Sequence, residues 1–417
     1  MKFLRRLAVD TTPLRESPAF RRLWLGQAIS FVGRRMTLVA LPVQVYQLTG
    51  SPLMVGLLSF AQFVPLMSLT IVGGVLADAG DRRRLLLASE TAMGLCVVGL
   101  VVNAGLPHPQ VWACFLFGAL SWSAFSFGAG SARSLTPRLV SREQLPAAAA
   151  LNGVYSQLGA VLGPAFAGIL IHSIGLSATY AIDLATSTAA IAGVASLPSI
   201  APFEDAATPG LRALREGFAF IRTQRVILAF FLIDSTAMVF GMPNALFPAV
   251  ADRIFRDPSA VGYLFAAPSA GAFVAALLSG WAGRLRRQGV AVVIAASAWG
   301  AAMASFGLTH TLWLGLVFLA VAGASDQVSA IFRSTMMMTL APDHLRGRLS
   351  GIEFAQVAST PALGNLEAGV VASLTSLRFS IVSGGVACVA ATVLLGLAFP
   401  ALLGYDSRRV APDPLAA

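Results

Sequence analysis

Lysine is nearly missing from this chain of 417 residues, where Lys2 is the only one. A Gly-x-x-x-x-Gly-Lys-Ser/Thr loop needs its lysine to reach the terminal phosphates, so no such loop exists here. A pump driven by ATP within one chain is therefore not expected. Charge of either sign is scarce too. Charged residues make up 12% of the chain, half of the roughly 25% found in soluble domains. Hydrophobic residues make up 56% and mean hydropathy is +0.76, the composition of a membrane protein. His-Glu-x-x-His and Gly-x-Ser-x-Gly are absent, and no nucleophile–base set or metal-ligand cluster stands in their place, so neither an enzyme nor a cofactor is expected. Cys96, Cys114 and Cys388 each sit inside an apolar run and read as small core residues. The net charge of +10 does not imply nucleic acid, because a basic excess in a membrane protein sets topology. The chain is polar and basic through Arg22, and the apolar run that follows is too long for a cleaved signal peptide.

What is present is a succession of long apolar runs. A membrane-spanning helix needs about 20 apolar residues. The pattern predicts twelve, at about 22–48, 53–77, 85–105, 111–132, 148–173, 178–197, 226–250, 260–282, 290–308, 312–332, 350–373 and 380–403. With both ends inside, the cytoplasmic segments hold twenty-four lysines and arginines, Arg333 counted with the loop after the tenth span, and the outer loops hold three. That asymmetry fits the positive-inside rule. The longest polar gap, 198–225, is broken by Pro198, Pro202 and Pro209. It closes with Leu211–Arg225, which carries Leu211, Leu214, Phe218 and Ile221 on one helical face, as an amphipathic helix on the inner leaflet does. The predicted organisation is a six-helix bundle at 1–197, a linker at 198–225, and a second six-helix bundle with a short tail at 226–417.

The short loop within Gly73–Leu87, GGVLADAGDRRRLLL, joins the second and third spans through Asp78 and the run Arg82, Arg83 and Arg84. The halves also echo each other: Arg133-Ser134 with Thr136-Pro137 matches Arg333-Ser334 with Ala341-Pro342, and Gly163-Pro164 matches Thr360-Pro361. Together these features resemble the major facilitator superfamily, an all-α membrane fold of two pseudo-symmetric six-helix bundles. Ala245–Asp252, Val261–Gly280 and Thr339–Gly351 look like the branch that holds enterobactin-exporter and macrolide-efflux-like proteins. The resemblance implies that Asp78, Arg82 and Arg83 latch the two halves in one state of the cycle. It implies that Gly163 and Pro164 belong to the Gly-Pro run of the exporting members; plain small-residue packing is the other reading of that run. Two departures stand out: Ala79 and Asp81 replace the usual basic residue and glycine of the loop, and Ala124 stands where many drug exporters carry a relay arginine.

Charges inside the membrane are costly and face a cavity or a partner. Arg34 and Arg35 fall midway along the first span. They either bind an anionic group of the substrate or pair structurally with Asp234 or Glu353. Asp234, Asp326 and Glu353 are the proton-coupling candidates, since burial moves a carboxyl toward titration near neutral pH. Asp183 opens a peripheral span and reads as structure. Gln44, Trp122, Tyr155, Asn244 and Gln356 are the polar and aromatic residues expected to touch substrate. The expected function is a monomeric secondary transporter of the bacterial inner membrane, with small-molecule substrate, protons and lipid bilayer as its partners. It exports a siderophore-like or drug-like molecule by alternating access, as a proton antiporter. A multidrug or macrolide pump, an importer, and a sensor or scaffold without transport are the alternatives.

Overall fold

Proline and glycine punctuate the chain and fix where its helices begin and turn. The structure is a computed structural model. It describes residues 10–79, 81–198 and 211–410, with side chains left aside at 70–79, 133–134, 211–214 and 409–410. The long helices are α1 (Pro18–Thr49), α2 (Pro52–Ala79), α3 (Arg82–Gly105), α4 (Val111–Leu139), α5 (Leu145–Ala195), α6 (Leu211–Thr223), α7 (Arg225–Phe240), α8 (Phe247–Arg253), α9 (Val261–Leu277), α10 (Gln288–Leu308), α11 (Leu312–Leu340), α12 (Asp343–Leu374) and α13 (Leu377–Ala398). No strand occurs among the described residues. Pro18 and Pro52 open α1 and α2, where a missing N–H costs nothing. Asp81 caps α3 by accepting from the backbone N–H of Arg83 and Arg84, the ordinary work of an N-cap aspartate. That role accounts for an acid where the superfamily loop carries glycine.

Three helix ends run beyond the apolar stretches that predicted them. α4 continues to Leu139, α11 to Leu340, and α12 starts at Asp343. Hydropathy marks where lipid ends, whereas a helix ends where its backbone bonds end, and arginine is a good helix former. The predicted fifth and sixth spans are the two arms of α5, two helices that meet at Gly175, whose φ 84° and ψ 173° are not helical. Only glycine adopts that conformation without strain. The predicted seventh span is broken. α7 stops at Gly241, Asn244–Leu246 forms a single 3₁₀ turn, and α8 resumes at Phe247. Pro243 and Pro248 lack the N–H groups that would continue the ladder. The Asn365 side chain accepts from the Ala245 N–H at 2.9 Å and so satisfies a backbone group freed by the break.

Nine segments among the described residues are long and apolar enough to cross a membrane, and one of them, Arg142–Ala195, is 54 residues long. Large apolar side chains such as Leu95 (66% exposed), Ile294 (64%) and Trp313 (71%) face outward on these helices, as a lipid solvent permits.

The chain divides into two compact units. Unit 1 comprises Met1–Thr49 and Ala61–Thr208; unit 2 comprises Gly50–Phe60 and Pro209–Ala417. In unit 1, α1 lies against both arms of α5 through glycines. A Cβ at Gly26 would come within 2.6 Å of the Ala189 carbonyl, and one at Gly193 within 2.7 Å of the Arg22 carbonyl. Unit 2 is centred on Ile227, Phe230, Phe332, Met336, Leu349 and Ile352. The α6 helix docks on it: Ile221 is buried in that core, Gly217 faces Ile352, and Glu216 pairs with Arg348. Phe218, expected on the same face as Ile221, is 54% exposed, because Gly217 and Ile221 define the buried stripe and Phe218 lies about 100° from Gly217.

Candidate functional site

Two ionic centres lie within the helices, one in each unit. In unit 1, α1 and α3 face each other with Arg34 and Glu90. Nη1 of Arg34 donates to both carboxylate oxygens at 3.1 Å. Gln27, two turns before Arg34 on α1, completes the group: its Nε2 donates to Glu90 at 2.8 Å and its Oε1 accepts from Arg34 Nη2 at 3.0 Å. Glu90 is 3% exposed, so both of its carboxylate oxygens are buried and both are answered by Arg34 and Gln27. Arg34 thus has an ionic partner, but it is Glu90 rather than Asp234 or Glu353.

Arg35 behaves differently. It turns about 100° away from Arg34, its guanidinium sits 4.9 Å above the ring of Phe31, and among the described residues it has no carboxylate partner. Glycines make room for it. A Cβ at Gly163 would fall 2.4 Å from the Arg35 Cβ, and one at Gly159 would fall 2.5 Å from the Phe31 ring. Gly163 and Pro164 are both buried within α5, which continues through the proline.

Beside these residues is a cavity of about 500 Å³ within unit 1, lined by Phe20, Trp24, Gln27, Thr136, Asn152 and Tyr155 together with aliphatic neighbours. Tyr155 stands edge-on to Trp24, with ring centroids 6.0 Å apart, and edge-on to Phe31 at 5.7 Å. The indole Nε1 of Trp24 is buried and has no acceptor among the described residues.

The centre in unit 2 is built around Arg333. It pairs with Asp234 of α7 and lies 4.0 Å from Asp326 of α11. Asp326 and Arg333 are seven residues apart and share a helix face. Gln356 of α12 donates to Asp234 Oδ2 at 3.2 Å, to the Phe231 carbonyl at 2.9 Å and to Ser235 Oγ at 2.8 Å. Glu353, one turn earlier, lies in the electrostatic field of Arg333 and Asp234. The side chains of Arg333 and Asp234 are 8% and 5% exposed, and that of Asp326 is 38% exposed. Arg333, counted above as a loop charge, is thus a buried helix residue in contact with two of the three acids singled out for proton coupling, Asp234 and Asp326.

The remaining expected residues are placed as follows. Gln44 is buried and accepts from the Tyr180 hydroxyl at 2.9 Å. Trp122 stands edge-on to Phe125. Asn244 opens the 3₁₀ turn between α7 and α8. Asp183 is buried and accepts from the Thr37 hydroxyl, which leaves it as structure. Arg82 is buried in the first turn of α3. Arg83 donates to the Val194 carbonyl at 3.3 Å and to the Ala195 carbonyl, so it caps the C-terminal end of α5 where a cation is favoured. The side chain of Asp78 lies outside the described residues.

Sequence reasoning missed Glu90, Gln27 and the position of Arg333. Glu90 carried the same signal as Asp234, an acid inside an apolar span.

The comparisons with known proteins agree over nearly the whole length. The model of the transmembrane secretion effector family matches residues 8–413. The chain belongs to that family, within the major facilitator superfamily. It is 32% identical over 392 residues to the enterobactin exporter EntS of Escherichia coli, covering 92% of this chain and 93% of that one. It is 32% identical over 409 residues to the enterobactin exporter EntS of Citrobacter koseri, covering 96% of each. Among solved structures, the nucleoside transporter NupG superposes with a TM-score of 0.70 at 15% identity, over 93% of this chain and 99% of that one. A bacterial homologue of the iron transporter ferroportin gives 0.67 at 15% identity, over 93% and 99%. These two likenesses establish the fold. Membership makes the chain a multi-pass membrane protein and a secondary transporter of the exporting kind, with a small molecule as its cargo.

Proposed function

We propose that this family member exports an acidic small organic molecule, siderophore-like in character, across the bacterial inner membrane by alternating access, in exchange for protons. Counting Arg142–Ala195 as two crossings and adding α1 and α12 to the other apolar segments gives twelve spans. The proposed organisation is a bundle at 1–197, a linker at 198–225 and a bundle at 226–417, with both ends in the cytoplasm.

The observation that carries this reading is the unequal pairing in the two centres. In unit 1, Glu90 pairs with Arg34, while Arg35 lies over Phe31 with no carboxylate at ion-pair distance among the described residues; the other buried acid, Asp183, is bonded to Thr37. In unit 2, one arginine stands against three acids. A cation away from water without a carboxylate in contact favours an anionic cargo group. Surplus acids sharing one arginine cannot all remain ionised in a dry place at low cost, which makes Asp234, Asp326 and Glu353 the groups that exchange protons. Gln356 positions Asp234. Asp78, Arg82, Arg83, Gly163 and Pro164 are assigned to gating, and Gln44, Trp122, Tyr155 and Asn244 to lining the path.

A second reading, a macrolide or multidrug exporter with neutral cargo, draws on the neutralisation of Arg34 by Glu90. The two readings part in reconstituted vesicles. With Asp326→Asn, gradient-driven export of an acidic cargo is expected to fail while exchange without a gradient continues. Driven export that is unchanged in Asp326→Asn, Asp234→Asn and Glu353→Gln alike removes proton coupling through this centre.

A further inference from the structure

We infer that the short connection between α9 and α10, together with the chain that follows α13, forms a binding surface for an anionic phospholipid. The surface lies wholly within unit 2. It rests on the proposed placement of both ends in the cytoplasm only for which leaflet supplies the lipid, and not on the nature of the cargo.

The connection is graded from apolar to basic. α9 ends at Leu277, and Ser279–Arg284 follows as a 3₁₀ turn. Leu277, Leu278, Trp281 and Leu285 are all exposed here. Trp281 is 45% exposed, and its ring also leans on buried Phe332 of α11 with centroids 5.9 Å apart, so its position is held. A half-exposed tryptophan at the end of a spanning helix marks the headgroup level, because its ring is apolar and its N–H is polar. Arg284, Arg286 and Arg287 follow directly and are exposed. Arg284 is three residues on from Trp281, about 6 Å along a 3₁₀ turn. That is about the depth of the polar layer that flanks the hydrocarbon on each side of a bilayer.

The tail adds a fourth arginine and holds the frame. The Ser407 N–H donates to the Arg286 carbonyl at 3.2 Å, which sets exposed Arg408 beside the connection. Gly289, at the start of α10, lies so close to the Leu402 carbonyl that a Cβ there would overlap it. Both backbones are therefore fixed while the four guanidinium groups stay outside. None of the four forms an ion pair among the described residues. Asp406, the acid in this stretch, accepts instead from the Arg408 backbone N–H at 3.0 Å. Topology alone accounts for arginines in a cytoplasmic loop, but not for four of them left without acids around a fixed tryptophan. Uncommitted arginines bordered by exposed leucine and tryptophan fit a molecule with a phosphate at one end and acyl chains at the other. A guanidinium matches phosphate oxygens in its planar fork, and each basic residue at an anionic leaflet strengthens attachment about fivefold.

The test is lipid binding to the full chain purified in a neutral detergent, read by native mass spectrometry. The probes are phosphatidylglycerol, phosphatidylcholine with the same acyl chains, and glycerol 3-phosphate. Phosphatidylglycerol is expected to bind saturably, and the other two about tenfold more weakly or worse. The triple variant Arg284→Gln, Arg286→Gln and Arg287→Gln is expected to weaken phosphatidylglycerol by at least about tenfold, and Arg408→Gln alone by about fivefold. A second triple variant removes three exposed arginines of unit 1, Arg15→Gln, Arg21→Gln and Arg142→Gln, and is expected to bind as the unaltered chain does. If the first triple variant does not fold, Arg408→Gln decides, since its side chain is exposed and breaks no ion pair. Three results overturn the surface: phosphatidylcholine binding as tightly as phosphatidylglycerol, equal losses in the two triple variants, or a folded Arg408→Gln protein and a folded first triple variant that both keep the lipid. Glycerol 3-phosphate binding as tightly as phosphatidylglycerol overturns it as well, because the apolar border then contributes nothing. Lipid binding without export of an acidic cargo leaves the surface standing and refutes the proposed function. Such export by a chain with no preference for phosphatidylglycerol does the reverse.

Discussion

Replacing Arg333 by glutamine removes the only cation that the described residues place in the centre in unit 2. The consequence follows from burial. Arg333 and Asp234 are 8% and 5% exposed in their side chains, so water does not take over when the pair is broken. Removing one partner of a buried pair costs about 3–5 kcal/mol, because the other charge stays behind uncompensated. Gln356 still donates to Asp234, but a neutral amide answers only part of a carboxylate. Asp326, 38% exposed and 4.0 Å from Arg333, keeps access to water and adds less. The Arg333→Gln protein is therefore expected to lose about 3–5 kcal/mol of unfolding free energy. Asp234→Asn added to it is expected to recover about 2 kcal/mol, within the range of coupling between groups in direct contact. Chemical denaturation of the four proteins of the cycle, followed by circular dichroism in detergent, gives both numbers. A single variant as stable as the unaltered chain, or a double variant no better than the single, refutes the view of Arg333 as the hub of a buried charge cluster.

Other outcomes follow from the same contacts. Glu90→Gln leaves Arg34 with Gln27 alone and is expected to destabilise unit 1 by about 2–4 kcal/mol, whereas Arg35→Gln, which breaks no ion pair, is expected to cost under about 1 kcal/mol; thermal melts of both variants compare them. Gly163→Val forces a side chain into the Arg35 Cβ and the Val32 carbonyl and is expected to cost about 1–3 kcal/mol by overpacking, with Gly153→Ala, which meets nothing within 4 Å, as the control. Glu216→Lys sets like charges against Arg348 and is expected to loosen α6, read as faster tryptic cleavage after Arg222 and Arg225, with an unchanged cleavage rate as the contrary result.

Much of the fold was legible because lipid imposes it: long apolar runs, short Gly- and Pro-rich turns and scarce charge leave few alternatives to a helical bundle. The break between α7 and α8 was less visible. Pro243 and Pro248 mark it, yet Pro42, Pro65 and Pro164 lie inside helices that continue, so proline alone does not distinguish a break from a bend. What permits the break is Asn365, more than a hundred residues away, which takes up the freed Ala245 N–H. The site was legible one charge at a time and not in pairs. Asp234, Asp326 and Glu353 were identifiable as acids within spans, but the partner of Arg34 depends on how α1 faces α3, and sequence spacing carries no such information. Arg333 was misplaced because the apolar run ends at its position while the helix continues to Leu340.

The measurement that decides most is transport into inverted membrane vesicles with an imposed proton gradient, offering an acidic siderophore and a macrolide side by side. Uptake of the siderophore that collapses with an uncoupler and weakens in Arg35→Gln is the predicted result. Uptake of the macrolide alone, or siderophore uptake indifferent to both the uncoupler and Arg35, contradicts proton-driven export of an acidic cargo.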